Sequence, residues 1–293
     1  MVTPMAQHAP FAAPPTDVRT FETTTTDGVR IAIDDAGPRD APCVVFIHGL
    51  AQSRRAWRGQ LTGELTKDFR CVAFDLRGHG DSDKPNDAAA YTEPGRFASD
   101  VDAVLSALGS RKVVLVPWSY GGAVVGDYLR QHGESRVAGI FAVAAAVRMG
   151  RTASAYFGPV MMKNARGLMS EDDAMYRSSA LAFIAGCMRL PEDGFGESAV
   201  SEMMRVPAYV RRAMLSRSED YLAEYTTGRF PLAAIQGAHD EVVLGSLAEE
   251  LVGNRAELHV VAEAAHVPFV DAKSDFERIL RSFARRAFAS NGG

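Results

Sequence analysis

The chain has 293 residues, 47% apolar and 23% charged, enough for a sizeable core in one large α/β domain with an insertion, or in two smaller domains. A net charge of −4 and a pI near 6.0 give no electrostatic reason to expect nucleic acid or an anionic membrane surface. No run reaches the ~18 apolar residues that a membrane span needs.

The first seventeen residues are rich in Ala and Pro and lack a basic start followed by an apolar stretch. They read as a disordered tail rather than a signal peptide. Arg19 to Thr25 and Val29 to Ile33 then read as two strands around an Asp27-Gly28 turn. Four short apolar runs follow, at Cys43 to Ile47, Cys71 to Phe74, Val113 to Val116 and Ile140 to Ala145. They alternate with helical patterns at Trp57 to Leu65, Phe97 to Leu108 and Ala123 to Arg130. Strands that are apolar on both faces and separated by helices predict a parallel sheet covered on both sides.

From Arg148 to Thr227 the rhythm stops and a helical segment without a clear strand intervenes. It resumes with a strand at Pro231 to Gln236, a helix near Leu244 to Leu251, a strand at Glu257 to Val261 and a closing helix from Ser274 to Ala287. The expected architecture is a mostly parallel, eight-stranded, doubly wound sheet spanning residues 18–147 and 228–290, with a helical cap at 148–227 between strands six and seven. Nine of the eleven methionines lie between Met149 and Met214. Most are expected to fill gaps in a small helical core and the remainder, Met161 and Met162 among them, to line an adaptable apolar pocket. Cys43, Cys71 and Cys187 are an odd set without a C-x-x-C pair. That argues against a disulfide framework or zinc site and fits a reducing cytoplasm.

Chemistry concentrates where strands end. Val113 to Val116 runs directly into Pro117-Trp118-Ser119-Tyr120-Gly121-Gly122 and a helix. A sharp strand-to-helix turn presents a serine hydroxyl for attack on a carbonyl, with the following N–H free to face an oxyanion. Serine needs a base and the base an orienting acid. His266, just past the last strand, lies on the same sheet edge and is the best base of seven histidines; Asp240, after the preceding strand, is the acid, with Glu241 a weaker choice. The N–H groups of Leu50, after His48-Gly49, and Tyr120 are the natural oxyanion donors. Trp118 joins Met161 and Met162 as a candidate pocket residue.

With these pieces in order, the chain resembles the α/β-hydrolase family from about Arg19 to Ala287. Phe46-Ile47-His48-Gly49, Asp75-Leu76-Arg77-Gly78-His79-Gly80-Asp81-Ser82, Trp118-Ser119-Tyr120-Gly121-Gly122, Gly237-Ala238-His239-Asp240 and Ala265-His266-Val267-Pro268-Phe269 carry the likeness. The second stretch is similar to the branch holding cofactor-free haloperoxidases and bacterial carboxylesterases. The resemblance implies a serine hydrolase of apolar carboxylic esters, with no metal or organic cofactor and a small-molecule ester as its partner. Perhydrolase side activity would follow from the same residues. A serine at 119 argues against the dehalogenase and epoxide hydrolase branches, which use Asp there. Pro117, where the elbow pattern has Gly, is the departure. A hydroxynitrile-lyase-like acid/base enzyme and a small-molecule receptor with vestigial hydrolysis are the alternatives.

Overall fold

The computed structural model describes residues 17–93, 95–109, 112–189 and 194–290; the expected tail at 1–17 falls, except for its last residue, outside them. Eight strands form one sheet: β1 (Arg19–Thr24), β2 (Arg30–Ala36), β3 (Cys43–Ile47), β4 (Arg70–Phe74), β5 (Val113–Pro117), β6 (Val137–Val143), β7 (Leu232–Gly237) and β8 (Glu257–Val261). Their spatial order is β1-β2-β4-β3-β5-β6-β7-β8, antiparallel at β1-β2 and β2-β4 and parallel from β4 to β8. β1 alternates half-buried and exposed residues, as an edge strand should, while β3 to β7 are buried throughout.

Side-chain alternation divides the core in two. Val45 and Ile47 of β3 and Leu115 of β5 face the layer of α1 (Arg96–Leu108) and α2 (Gly121–His132). Val44, Phe46, Val114 and Val116 face the other layer, where the closing helix contributes Phe276, Leu280, Phe283 and Ala287. β6 begins at Val137, earlier than the expected Ile140, and ends at Val143, because Ala144 turns away at φ +43. The pattern at Trp57 to Leu65 is not one helix but short turns at Arg54–Trp57, Arg58–Leu61 and Glu64–Lys67, broken at Gly63.

Among the described residues, a 3-10 turn (Arg151–Tyr156) and five α-helices lie between β6 and β7: α3 (Pro159–Leu168), α4 (Asp173–Cys187), α5 (Phe195–Met204), α6 (Ala208–Ser216) and α7 (Leu222–Thr227). Buried charge ties this insert to the sheet. Arg217 forms an ion pair with Asp127 of α2 at 2.8 Å, and Glu202 of α5 meets Arg55 at 3.0 Å. After β7 come α8 (Gly245–Val252) and α9 (Lys273–Ala289). Among the described residues, no helix is long and apolar enough to cross a membrane.

Candidate active site at the carboxyl edge of the sheet

β3, β5, β7 and β8 deliver the sequence-predicted residues to one edge. Ser119 lies two residues past the end of β5 and adopts φ +53, a left-handed conformation that costs a non-glycine residue strain. Backbone bonds hold it there. Its N–H donates to the Val143 carbonyl at 3.0 Å, and its carbonyl accepts the N–H groups of Gly122 (2.9 Å) and Ala146 (2.8 Å). The turn leaves no room for side chains nearby. A Cβ on Gly49 would stand 3.0 Å from Cβ and 3.5 Å from Oγ of Ser119.

His266 and Asp240 meet at 2.9 Å through Nδ1 and Oδ2, with both side chains almost wholly buried. Since a carboxylate oxygen accepts, Nδ1 donates and the Nε2 lone pair is left over. That atom is buried and has no hydrogen-bond partner among the described residues. Three further donors fix the carboxylate: Oδ1 accepts Val242 N–H (2.8 Å) and Val243 N–H (3.1 Å), and Oδ2 accepts Gln236 Nε2 (2.7 Å). Asp240 thus serves the turn leading into α8 as well as the histidine. The Gln236 amide also donates to the Val243 carbonyl at 2.8 Å, so two acceptors determine which end is nitrogen. Glu241 and His239 lie exposed beside this pair.

The N–H groups of Leu50 and Tyr120 have no partner among the described residues, and both residues border the pocket that Ser119 faces. One of these donors is braced from behind. His48 accepts the Leu76 N–H at Nε2 (3.0 Å), so the proton sits on Nδ1, which donates to the Gly49 carbonyl at 2.8 Å. That carbonyl belongs to the same planar peptide as the Leu50 N–H, so bonding one end orients the other. Burial, with His79 close by, pushes the His48 pKa well below the ordinary histidine value and keeps the ring neutral.

The Asp75-to-Ser82 stretch supports this arrangement from below. Asp75 accepts the Arg54 N–H and the Asp81 N–H, each at 2.7 Å, and pairs with the Arg54 guanidinium. Arg77 is buried against Asp100. At Gly80, φ is +48 and a Cβ would fall 2.0 Å from Oδ2 of Asp75, which no other residue could accept.

Two spaces meet at Ser119. A pocket of about 820 Å³ is walled by Met149, Phe157, Met161, Met162, Met169 and Phe183, with Arg151 and Ser154, Ser216 and Ser218 adding polar groups. A cleft of about 10 Å³ lies between Ser119, His266, Trp118 and the insert residues Ile184, Cys187 and Met188. Five of the nine insert methionines therefore border these spaces, more than a mainly core-filling role would give, whereas Met203 and Met214 are fully buried. Trp118 borders only the cleft. Its indole N–H donates to the His266 carbonyl at 2.9 Å and its ring packs edge-on to Phe269.

Gln236 and Cys187 escaped the sequence reading. A lone amide in the apolar strand Leu232–Gly237 was the available signal for the first. Nothing local marks Cys187, whose carbonyl accepts the His266 N–H at 3.0 Å. Burial, with Asp240 and Asp271 nearby, pushes its thiol well above the ordinary range, so it is no rival nucleophile.

A parallel sheet with a strained serine after a central strand, and a buried His–Asp pair on the same edge, defines a class of fold and site rather than one protein. The family profile described as "alpha/beta hydrolase fold" matches residues 42–273, and the chain belongs to that family. Among curated relatives, a non-heme chloroperoxidase of Streptomyces lividans is 38% identical over 122 residues, covering 42% of this chain and 43% of the relative. A bifunctional esterase/perhydrolase, DCH, of Acinetobacter calcoaceticus is 41% identical over 115 residues, 39% of this chain and 41% of the relative. The matched stretch thus spans about two fifths of those relatives' length. The crystal structure of esterase RhEst1 from Rhodococcus sp. ECU1013 superposes with a TM-score of 0.84 at 31% identity, covering 92% of this chain and 99% of that one.

Proposed function

We propose that the protein is a serine hydrolase that cleaves apolar carboxylic esters through an acyl-enzyme. The observation that carries the reading is the convergence on one sheet edge of three things: a serine at φ +53, a His–Asp pair whose Nε2 has no partner among the described residues, and two N–H groups beside the serine that likewise have none there. Ser119 Oγ attacks the ester carbonyl while His266 Nε2 takes its proton, and Asp240 holds the imidazole and balances the charge that forms on it. The Leu50 and Tyr120 N–H groups stabilise the tetrahedral oxyanion, each worth on the order of 10²–10³ in turnover. His266 returns the proton to the departing alcohol, and water then repeats the sequence to free the acid. The insert acts as a cap whose Met161 and Met162 give the substrate an apolar wall, and no cofactor enters.

The similar proteins, an esterase, an esterase/perhydrolase and a non-heme chloroperoxidase, support an ester-cleaving activity. Hydrogen peroxide in place of water would release a peracid from the same acyl-enzyme. The reading is tested with a fluorophosphonate label and a series of p-nitrophenyl esters. Labelling of Ser119 and rapid ester turnover are expected, both abolished in Ser119→Ala. Full esterase activity in Ser119→Ala would overturn it, and labelling without turnover of any ester would favour a lyase or a receptor.

A further inference from the structure

The two spaces at Ser119 are unequal, and the chemistry assigns each a half of the ester. The pocket of about 820 Å³ is in the range that holds a drug-sized molecule, whereas the cleft of about 10 Å³ has room for roughly one water. Leu50, Ser119 and Phe183 border both; among the described residues His266 borders only the cleft, and Tyr120 only the pocket. The base that took the serine proton must hand it to the leaving oxygen, which therefore lies within hydrogen-bond reach of Nε2, on the cleft side. The carbonyl oxygen points to the Leu50 and Tyr120 N–H groups. The remaining substituent on the carbonyl carbon, the acyl chain, then continues into the large pocket.

Resting on the serine-hydrolase reading above, we infer that the substrate is a methyl or similarly small alkyl ester of a bulky apolar acid, with the acid in the pocket and the alcohol in the cleft. The cleft walls are largely apolar, as an alkyl stub requires: Trp118, Ile184, Met188, Phe195 and Val267 line it. Besides Ser119, His266 and the Cys187 thiol, the polar side chain there is Gln52, whose Nε2 donates to the Ala199 carbonyl at 3.4 Å and whose buried Oε1 has no hydrogen-bond partner among the described residues. In acylation the Ser119 Oγ–carbon bond forms as the carbon–methoxy bond breaks. The serine proton passes through His266 Nε2 to the methoxy oxygen, and methanol leaves. A water that fits the vacated cleft then gives its proton to Nε2 and its hydroxide to the acyl carbon. The serine regains its proton and the free acid departs.

The isomers methyl octanoate and heptyl acetate share one composition and reverse the two halves, so they isolate the orientation. One methylene that a pocket cannot seat costs roughly 10- to 200-fold in kcat/KM; methyl octanoate is expected to lead by at least about tenfold. Met188, half-buried on the cleft wall, can be trimmed as a second measure. Met188→Ala should raise kcat/KM for butyl octanoate relative to methyl octanoate by about tenfold; an unchanged ratio counts against the assignment. Ser119 is titrated with a fluorophosphonate in the same preparation. If it is labelled while heptyl acetate is the equal or better substrate, or while neither isomer turns over, the orientation falls and the labelled serine stands. If it resists the label and neither isomer turns over, the hydrolase reading falls and takes this inference with it.

Discussion

Gly49→Ala gives a steric test of the site that leaves every proposed chemical group in place. The added methyl would lie 3.0 Å from Ser119 Cβ and 3.4 Å from Trp118 Cε3, so something must move by a few tenths of an ångström. Ser119 is poorly placed to yield, because its N–H and its carbonyl are both committed to backbone partners on β6, α2 and the Ala146 loop. The strand end carrying the Leu50 N–H therefore shifts instead. An oxyanion donor works at about 2.7–3.1 Å, and losing one costs on the order of 10²–10³ in kcat, about 2.7–4 kcal/mol. We expect kcat for p-nitrophenyl butyrate to fall about 10²-fold with little change in KM, since the ground-state carbonyl binds weakly to these donors. Overpacking should lower stability by about 1–3 kcal/mol, read separately from urea unfolding. Gly245→Ala, whose Cβ would meet nothing nearer than 3.9 Å, is the control and should match the parent. A folded Gly49→Ala enzyme with kcat within about twofold of the parent would refute the placement of Leu50 beside the reacting carbonyl.

Gln236→Leu removes one donor from Asp240 and strands the buried Val243 carbonyl. It should lower stability by about 1–3 kcal/mol and reduce kcat about tenfold through a looser His266; unchanged kinetics would show that the backbone donors alone fix Asp240. Arg217→Met leaves Asp127, 2% exposed, without its ion pair and should cost about 3–5 kcal/mol. Arg217→Met with Asp127→Leu should recover part of that loss in denaturant titrations, and strict additivity would contradict a coupled pair. Burial lowers the His79 pKa to about 4. The unfolded chain takes up a proton below about pH 6.5 that the folded protein refuses, so stability should decline from about pH 6.5 down to about pH 4, by roughly 3 kcal/mol for this group. Urea unfolding across that range should show a shallower slope in His79→Gln, and an identical slope would exclude His79 as the source.

What the sequence disclosed and what it hid follow from the range of the interactions. β3 to β7 were legible because a strand buried on both faces must be apolar throughout, and Ser119, Asp240 and His266 because each directly follows or lies near a strand end. Gln236 and Cys187 act on His266 and Asp240 across turns and between the insert and the sheet, contacts that no local period encodes. Pro117, the residue that departs from the elbow pattern, is explained by the same pairing. Strand N–H groups alternate between neighbours: Trp118 donates to Ile47 of β3, so residue 117 would donate toward β6. On that side the ladder runs only to Leu115 opposite Ile140 and resumes past the gap, where Trp118 bridges Val143 and Ser119 donates to the Val143 carbonyl. Proline's missing N–H thus costs the ladder one bond toward β6, between two pairings that hold on either side of it, and its ring fixes φ just before the turn that strains the serine. A residue that would weaken a central strand elsewhere stiffens the mounting of Ser119 here.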